Sequence, residues 1–175
     1  MSGGSTFPAI VAGQRMSAGV YDSMLPLIAY KTAVTNSTTS TPANDPDLSI
    51  NLPANTTWEV EMWVQYAGLL AANISVMWSV PSGASCLRQV LGPSSNANNA
   101  GADQITMRAG VHGPATAVVY SCARNGTNQQ GFVERGIVTM GSTAGPVALN
   151  WGQAVANATA TQVCAGSIMT ATRLA

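Results

Sequence analysis

The chain has 175 residues and a formal net charge of +0, with 46% hydrophobic residues but only 8% Asp, Glu, Lys or Arg, against about 25% charged residues in an ordinary soluble domain. The few cations, Arg15, Lys31, Arg88, Arg108, Arg124, Arg135 and Arg173, are scattered singly, which argues against a phosphate-tracking nucleic-acid surface. No run approaches the roughly 20 apolar residues of a membrane span, and one histidine with three widely spaced cysteines, Cys86, Cys122 and Cys164, offers no zinc ligand set. The missing charge is replaced by Thr, Ser, Asn, Ala and Gly, a neutral polar surface with little self-repulsion. Such a surface suits a protein held by neighbours in a fixed assembly.

The N-terminal stretch MSGGSTFPAIVAGQRM has neither a basic start nor a sustained apolar run, so it does not read as a signal peptide. Residues 1–34 form a docking arm in this reading. Ser17 is placed to cap a short helix from Ala18, with Tyr21, Met24 and Leu25 on one side, and Pro26 limits its length. The arm carries Ile10, Val11, Met16, Tyr21, Met24 and Leu25, an apolar load that must be buried on something. These residues are candidate assembly contacts. Residues 35–47, TNSTTSTPANDPD, read as a strand edge and then a polar spacer, with Asn44-Asp45-Pro46-Asp47 as turn chemistry.

From residue 48 the period becomes two. Leu48, Ile50 and Leu52 alternate with Ser49 and Asn51. Trp58, Val60, Met62, Val64 and Tyr66 then face one side of a strand while Glu59, Glu61 and Gln65 face the other. Trp63 falls on that polar side and joins the candidate assembly contacts. Further strands are expected over 74–80, 116–121, 132–140 and 147–151. One long strand, bent at Gly166, is expected to cover 160–173. Residues 92–104 read as a loop. Strands separated by Gly, Pro and Asn turns, with no long helical pattern between them, predict an antiparallel β-sandwich or jelly roll over 35–175.

Chemistry-bearing constellations are weak. His112 in Gly110-Val111-His112-Gly113-Pro114 reads as a turn histidine, and no Gly-x-Ser-x-Gly elbow accompanies it. Glu59 and Glu61 share a strand face but read as solvated side chains rather than a glycosidase pair. Asn44, Asp45, Asp47 and Asp103 lack calcium-loop spacing. Neither a catalytic residue nor a cofactor nor a metal is expected, and the three cysteines read as small buried apolar groups.

Several stretches are familiar. Ala12-Gly13-Gln14-Arg15-Met16-Ser17-Ala18 resembles the Ala-Gly-Gln-x-Leu-Thr-Ala motif near the start of many phage fibre and minor tail proteins. Thr38 to Leu48 followed by Leu52-Pro53-Ala54-Asn55-Thr56-Thr57-Trp58 resembles small virion proteins of actinobacterial tailed bacteriophages, with Trp58 where that group usually has Tyr. Val80-Pro81-Ser82-Gly83-Ala84, Leu149-Asn150-Trp151-Gly152-Gln153 and Ala165-Gly166-Ser167 continue the likeness. The resemblance implies an accessory structural protein made in the bacterial cytoplasm and carried on the outer surface of head or tail. Low charge and Trp63 predict an oligomer, a homotrimer in this reading, partnered by itself and the major capsid or tail proteins; the short chain without a fibrous shaft favours head decoration over a minor tail role. A carbohydrate-binding module for host surface glycans is the other reading.

Overall fold

A computed structural model describes residues 12–13, 15–94, 107–122 and 129–175. The described chain is a two-sheet antiparallel β-sandwich with one short helix, α1 (Ala18–Met24). The strands are β1 (Leu27–Tyr30), β2 (Thr35–Ser37), β3 (Ala43–Leu52), β4 (Thr57–Ala67), β5 (Ile74–Ser79) and β6 (Ser85–Pro93). They continue as β7 (Met107–His112), β8 (Val118–Tyr120), β9 (Gln130–Thr139), β10 (Gly145–Gln153), β11 (Thr161–Val163) and β12 (Ile168–Arg173). One sheet runs β3-β10-β5-β8; the other contains β4-β9-β6-β7. Strands β3 to β10 therefore wrap as a jelly roll, the chain crossing from one sheet to the other after β3, β4, β5, β7, β8 and β9. Strands β12 and then β1 extend the second sheet beyond β4, and β11 and β2 add a short branch to it.

The alternation expected from sequence is what fills the core. Trp58, Val60, Met62, Val64 and Tyr66 of β4 are buried, facing Leu48, Ile50, Leu52, Ile74, Val76, Val147 and Leu149 of the opposite sheet. Phe132 stacks on Tyr120 with ring centroids 4.5 Å apart and packs tilted against Tyr66 at 5.6 Å. Gly92 is required here, because a Cβ on it would stand 2.7 Å from both the Phe132 Cβ and the Tyr120 ring. Cys86, Cys122 and Cys164 are buried and unbridged.

Several local expectations change. Residues 27–30, expected in the arm, belong to the sheet: β1 pairs with β12 from Leu27↔Ala171 to Tyr30↔Ile168. The segment Asn44-Asp45-Pro46-Asp47 is no loop but part of β3, where the β3/β10 register shifts. Its turn chemistry is spent inside the strand: Asp45 Oδ1 accepts from the Asp47 and Leu48 amides at 3.0 and 3.1 Å, which accommodates the bulge. The long final strand is interrupted. Both β11 and β12 pair with the same edge of β4, separated by Cys164–Ser167 with Gly166 at φ 90°. Ser167 Oγ fills that gap by accepting from the Gln65 amide at 2.9 Å. His112 ends strand β7 opposite Arg88 rather than sitting in a turn. Strands β6 and β7 were not expected as strands. Most of the expected 92–104 loop, with Asp103, lies outside the described residues.

One charged cluster is sealed in the sandwich and a second is buried except at Asp47. Arg88 and Glu134 form a fully buried ion pair in which Glu134 also accepts from Trp78 Nε1 at 2.6 Å and Tyr120 Oη at 2.7 Å. Arg88 further donates to the carbonyls of Thr116 at 2.6 Å and Val76 at 3.3 Å, so one network stitches the two sheets together. The second cluster joins Lys31, just after β1, to Asp45 and Asp47 of β3.

Candidate functional site

The outer face of the larger sheet is where the pattern departs from an ordinary solvated surface. Cross-strand register aligns Tyr30 (β1), Ile168 (β12), Trp63 (β4), Val133 (β9), Leu91 (β6) and Ala109 (β7) in one row across six strands. Tyr30 is 59% exposed, Trp63 45% and Leu91 46%. Two residues along each strand the next row reads Ile28, Thr170, Glu61, Arg135, Gln89 and Val111. The row beyond that brings Glu59, Ile137 and Leu87 together, with Ile137 and Leu87 exposed. The first row is apolar along its whole length, and the polar Thr170, Glu61, Arg135 and Gln89 of the second row separate it from Ile137 and Leu87.

Polar groups on this face are paired with one another. Arg135 forms a close ion pair with Glu59 and reaches Glu61 at 3.9 Å. The two glutamates therefore share one guanidinium, with the Arg135 and Glu61 side chains exposed. Gly131, beside Trp63, leaves the indole nitrogen 3.8 Å from where a Cβ would lie.

The arm supplies a second uncovered apolar surface. The Ser17 side chain caps α1 by accepting from the Val20 amide at 3.3 Å, and Leu25 closes the helix before Pro26. Met16, Tyr21, Met24 and Leu25 all stand exposed, Tyr21 at 58%. A helix of seven residues is marginal in water by itself, and only Leu25 and Pro26 separate it from β1. Ile10 and Val11, the remaining arm contacts expected from sequence, lie outside the described residues. Sequence reasoning singled out Trp63, and counted Tyr30 only within the apolar load of the arm, but not Leu91, Ile137 or Leu87 on the same face. The alternation around Leu87, Gln89 and Leu91 carries an apolar outer face, which blurs the polar/apolar contrast that marks a strand.

Among the described residues, no group of three or more His, Cys, Asp or Glu side chains is arranged to hold a metal ion, and no helix is long and apolar enough to cross a membrane. The buried thiols are held in the protonated form. Burial pushes Cys122 up to about 12. Burial raises Cys86 to about 11, with Glu134 adding to the rise and Arg88 opposing it.

No family model and no curated protein matches the chain. Among solved structures, the infectious bursal disease virus VP2 subviral particle aligns at 12% identity over 86% of this chain and 40% of that one, with a TM-score of 0.19. The Gx strain of the same virus aligns at 13% identity with the same coverages and TM-score. The chain spans about two fifths of the length of these proteins. TM-scores this low bear on neither ancestry nor role.

Proposed function

We propose that this chain is a non-enzymatic structural subunit of a tailed-bacteriophage virion, a self-associating trimer seated on the outer surface of the head as a decoration protein. The observation that carries the reading is the apolar row from Tyr30 through Trp63 to Leu91, left uncovered together with the exposed apolar side chains of the arm. A chain with so little charge does not keep two such surfaces dispersed in water by repulsion. The jelly roll is a fold used by viral capsid proteins, which agrees with this role by analogy only. The sequence resemblance to small phage virion proteins points the same way.

The test is sedimentation of the full chain with and without Trp63→Glu and Leu91→Glu. The expected result is a trimer or larger species that dissociates in the double variant while its β circular dichroism is retained. A wild-type monomer at micromolar concentration overturns the self-association. A particle reconstruction then decides location, with density on the head lattice expected and density at the tail tip favouring a minor tail role.

A second reading rests on Trp63 and Tyr30, two exposed aromatic rings on one row that could stack sugar rings. Jelly rolls also serve as lectins. Saturable binding of a host cell-wall glycan, lost in Trp63→Ala with sedimentation unchanged, would move the assignment to host attachment.

A further inference from the structure

The Lys31 cluster has the parts of a reactive centre. Lys31 Nζ lies 2.9 Å from Asp45 Oδ1, and both side chains have 0% exposure. Its position is fixed at the main chain as well, since the Lys31 amide donates to the Ser167 carbonyl at 2.9 Å and the Gly166 amide donates to the Lys31 carbonyl at 2.9 Å. Nζ has two further partners, Thr35 Oγ1 at 2.7 Å and Asp47 Oδ2 at 3.0 Å. Asp45 Oδ1 receives two backbone amides, from Asp47 and Leu48, while Oδ2 receives Trp151 Nε1 at 3.2 Å. An amine thus meets a carboxyl group in a site closed to water, with two amides aimed at one carboxyl oxygen and a second carboxylate touching the amine.

We propose that Lys31 and Asp45 condense spontaneously after folding to form an intramolecular isopeptide bond, with Asp47 as the base. Nζ touches Oδ1 rather than Oδ2 of Asp45, so the first proton leaves the Lys31 ammonium through Asp47, 3.0 Å away, and is relayed to Asp45 Oδ2, leaving a neutral amine beside a neutral carboxylic acid. The Nζ lone pair attacks Asp45 Cγ, and the charge that develops on Oδ1 is held by the Asp47 and Leu48 amides, the arrangement of an oxyanion hole. Asp47 takes a proton from the nitrogen and delivers it to the Oδ2 hydroxyl. The Cγ–Oδ2 bond breaks, the Cγ–Nζ amide remains and one water leaves, with no oxidant or other reactant. Water has an exit on the Asp47 side, where that carboxylate is 36% exposed. Fixed geometry replaces chemical activation of the acid, as in other reactions between groups held at contact distance. The product would join β1 to β3, and so one sheet to the other, by a bond that neither heat nor denaturant reverses.

The experiment is the intact mass of the purified full chain after denaturation. The expected mass is one water below that of the sequence, with trypsin failing to cut after Lys31 and a fragment in which residues 31 and 45 are cross-linked. Asp47→Asn retains the Lys31–Asp45 contact but lacks the base, and is expected at the full sequence mass. Asp45→Ala is expected there too. If either variant fails to fold, the wild-type mass and cross-linked fragment still decide. A folded wild-type chain at its full sequence mass, with Lys31 open to amine reagents once denatured, overturns the proposal and leaves a buried ion pair. A water loss that maps to other residues overturns it equally.

Discussion

Glu134 accepts from three side chains, Arg88, Trp78 and Tyr120, and each donor is itself buried. Its charge has no access to water, so the network tolerates loss of a partner poorly. Arg88→Met leaves the carboxylate without its counter-ion and is expected to destabilise by about 3–5 kcal/mol in urea denaturation. Tyr120→Phe removes only a neutral donor and is expected to cost about 1–3 kcal/mol. Gly136 is also part of this network. It lies between Val60 and Arg88 on the inner face, and a Cβ there would come within 2.7 Å of the Leu87 carbonyl oxygen and 3.1 Å of the Arg88 Cβ. The thiols give a pH prediction. The ordinary thiol value is 9.0, and in the fold Cys86 and Cys122 are raised to about 11 and 12. Below about pH 9 both folded and unfolded chains hold these protons. Above it the unfolded chain ionises first, so stability is expected to fall as pH rises from about 9 towards 12. Tyr66 and Tyr120, also raised by burial, act in the same direction. Urea midpoints across that range check the slope. Native protein at pH 8 should leave its thiols unmodified by alkylating reagents that label them all after unfolding.

At the scale of elements, the boundary between arm and body matters most. Deletion of residues 1–26 removes α1 but keeps β1 and Lys31, and a folded sandwich with an almost unchanged melting temperature is expected. Deletion of residues 1–34 removes β1 from its pairing with β12 and leaves Asp45 buried without Lys31. That truncation is expected to melt well below the shorter one, because it strips β12 of its edge partner and leaves a buried Asp45 without Lys31. Melting of the two truncations by circular dichroism separates the outcomes. The same boundary shows what was legible in sequence. Clean alternation marked β4 and β5, because one face of each is apolar and the other largely polar. Strand β1, LIAY, carries no alternation. Its neighbour β12 and the Lys31 clasp define it, and both act across long sequence separations. Asp45 illustrates the reverse case. Its turn-forming chemistry was read correctly, but a turn inside a strand is a bulge, and only pairing with β10 distinguishes the two. Arg88 was legible only as an isolated cation, since nothing local announces that Glu134 will face it. The candidate surface was legible at one residue, Trp63, the large apolar side chain standing out of step with its strand.

Across the whole molecule, nearly every pairing is between strands distant in sequence. Strand β3 pairs with β10, β4 with β9, and β1 with β12. Long-range pairing of this kind places folding in roughly the millisecond-to-second range rather than microseconds. Stopped-flow refolding from urea, followed by tryptophan fluorescence, is expected to show no phase that recovers native signal faster than a millisecond. The β1–β12 pairing has one more consequence, in time rather than in stability. Strand β1 is made before β12, so its strand pairing waits for β12 even though Lys31 can already meet Asp45 and Asp47 of β3. Tyr30 cannot complete its row, and Lys31 cannot meet the Ser167 carbonyl, while synthesis is still short of those residues. The surface through which copies would recognise one another is thus finished late, after the sandwich behind it. On the proposed self-association, a nascent chain still short of β12 would present the row without Ile168 and without Tyr30 held in register.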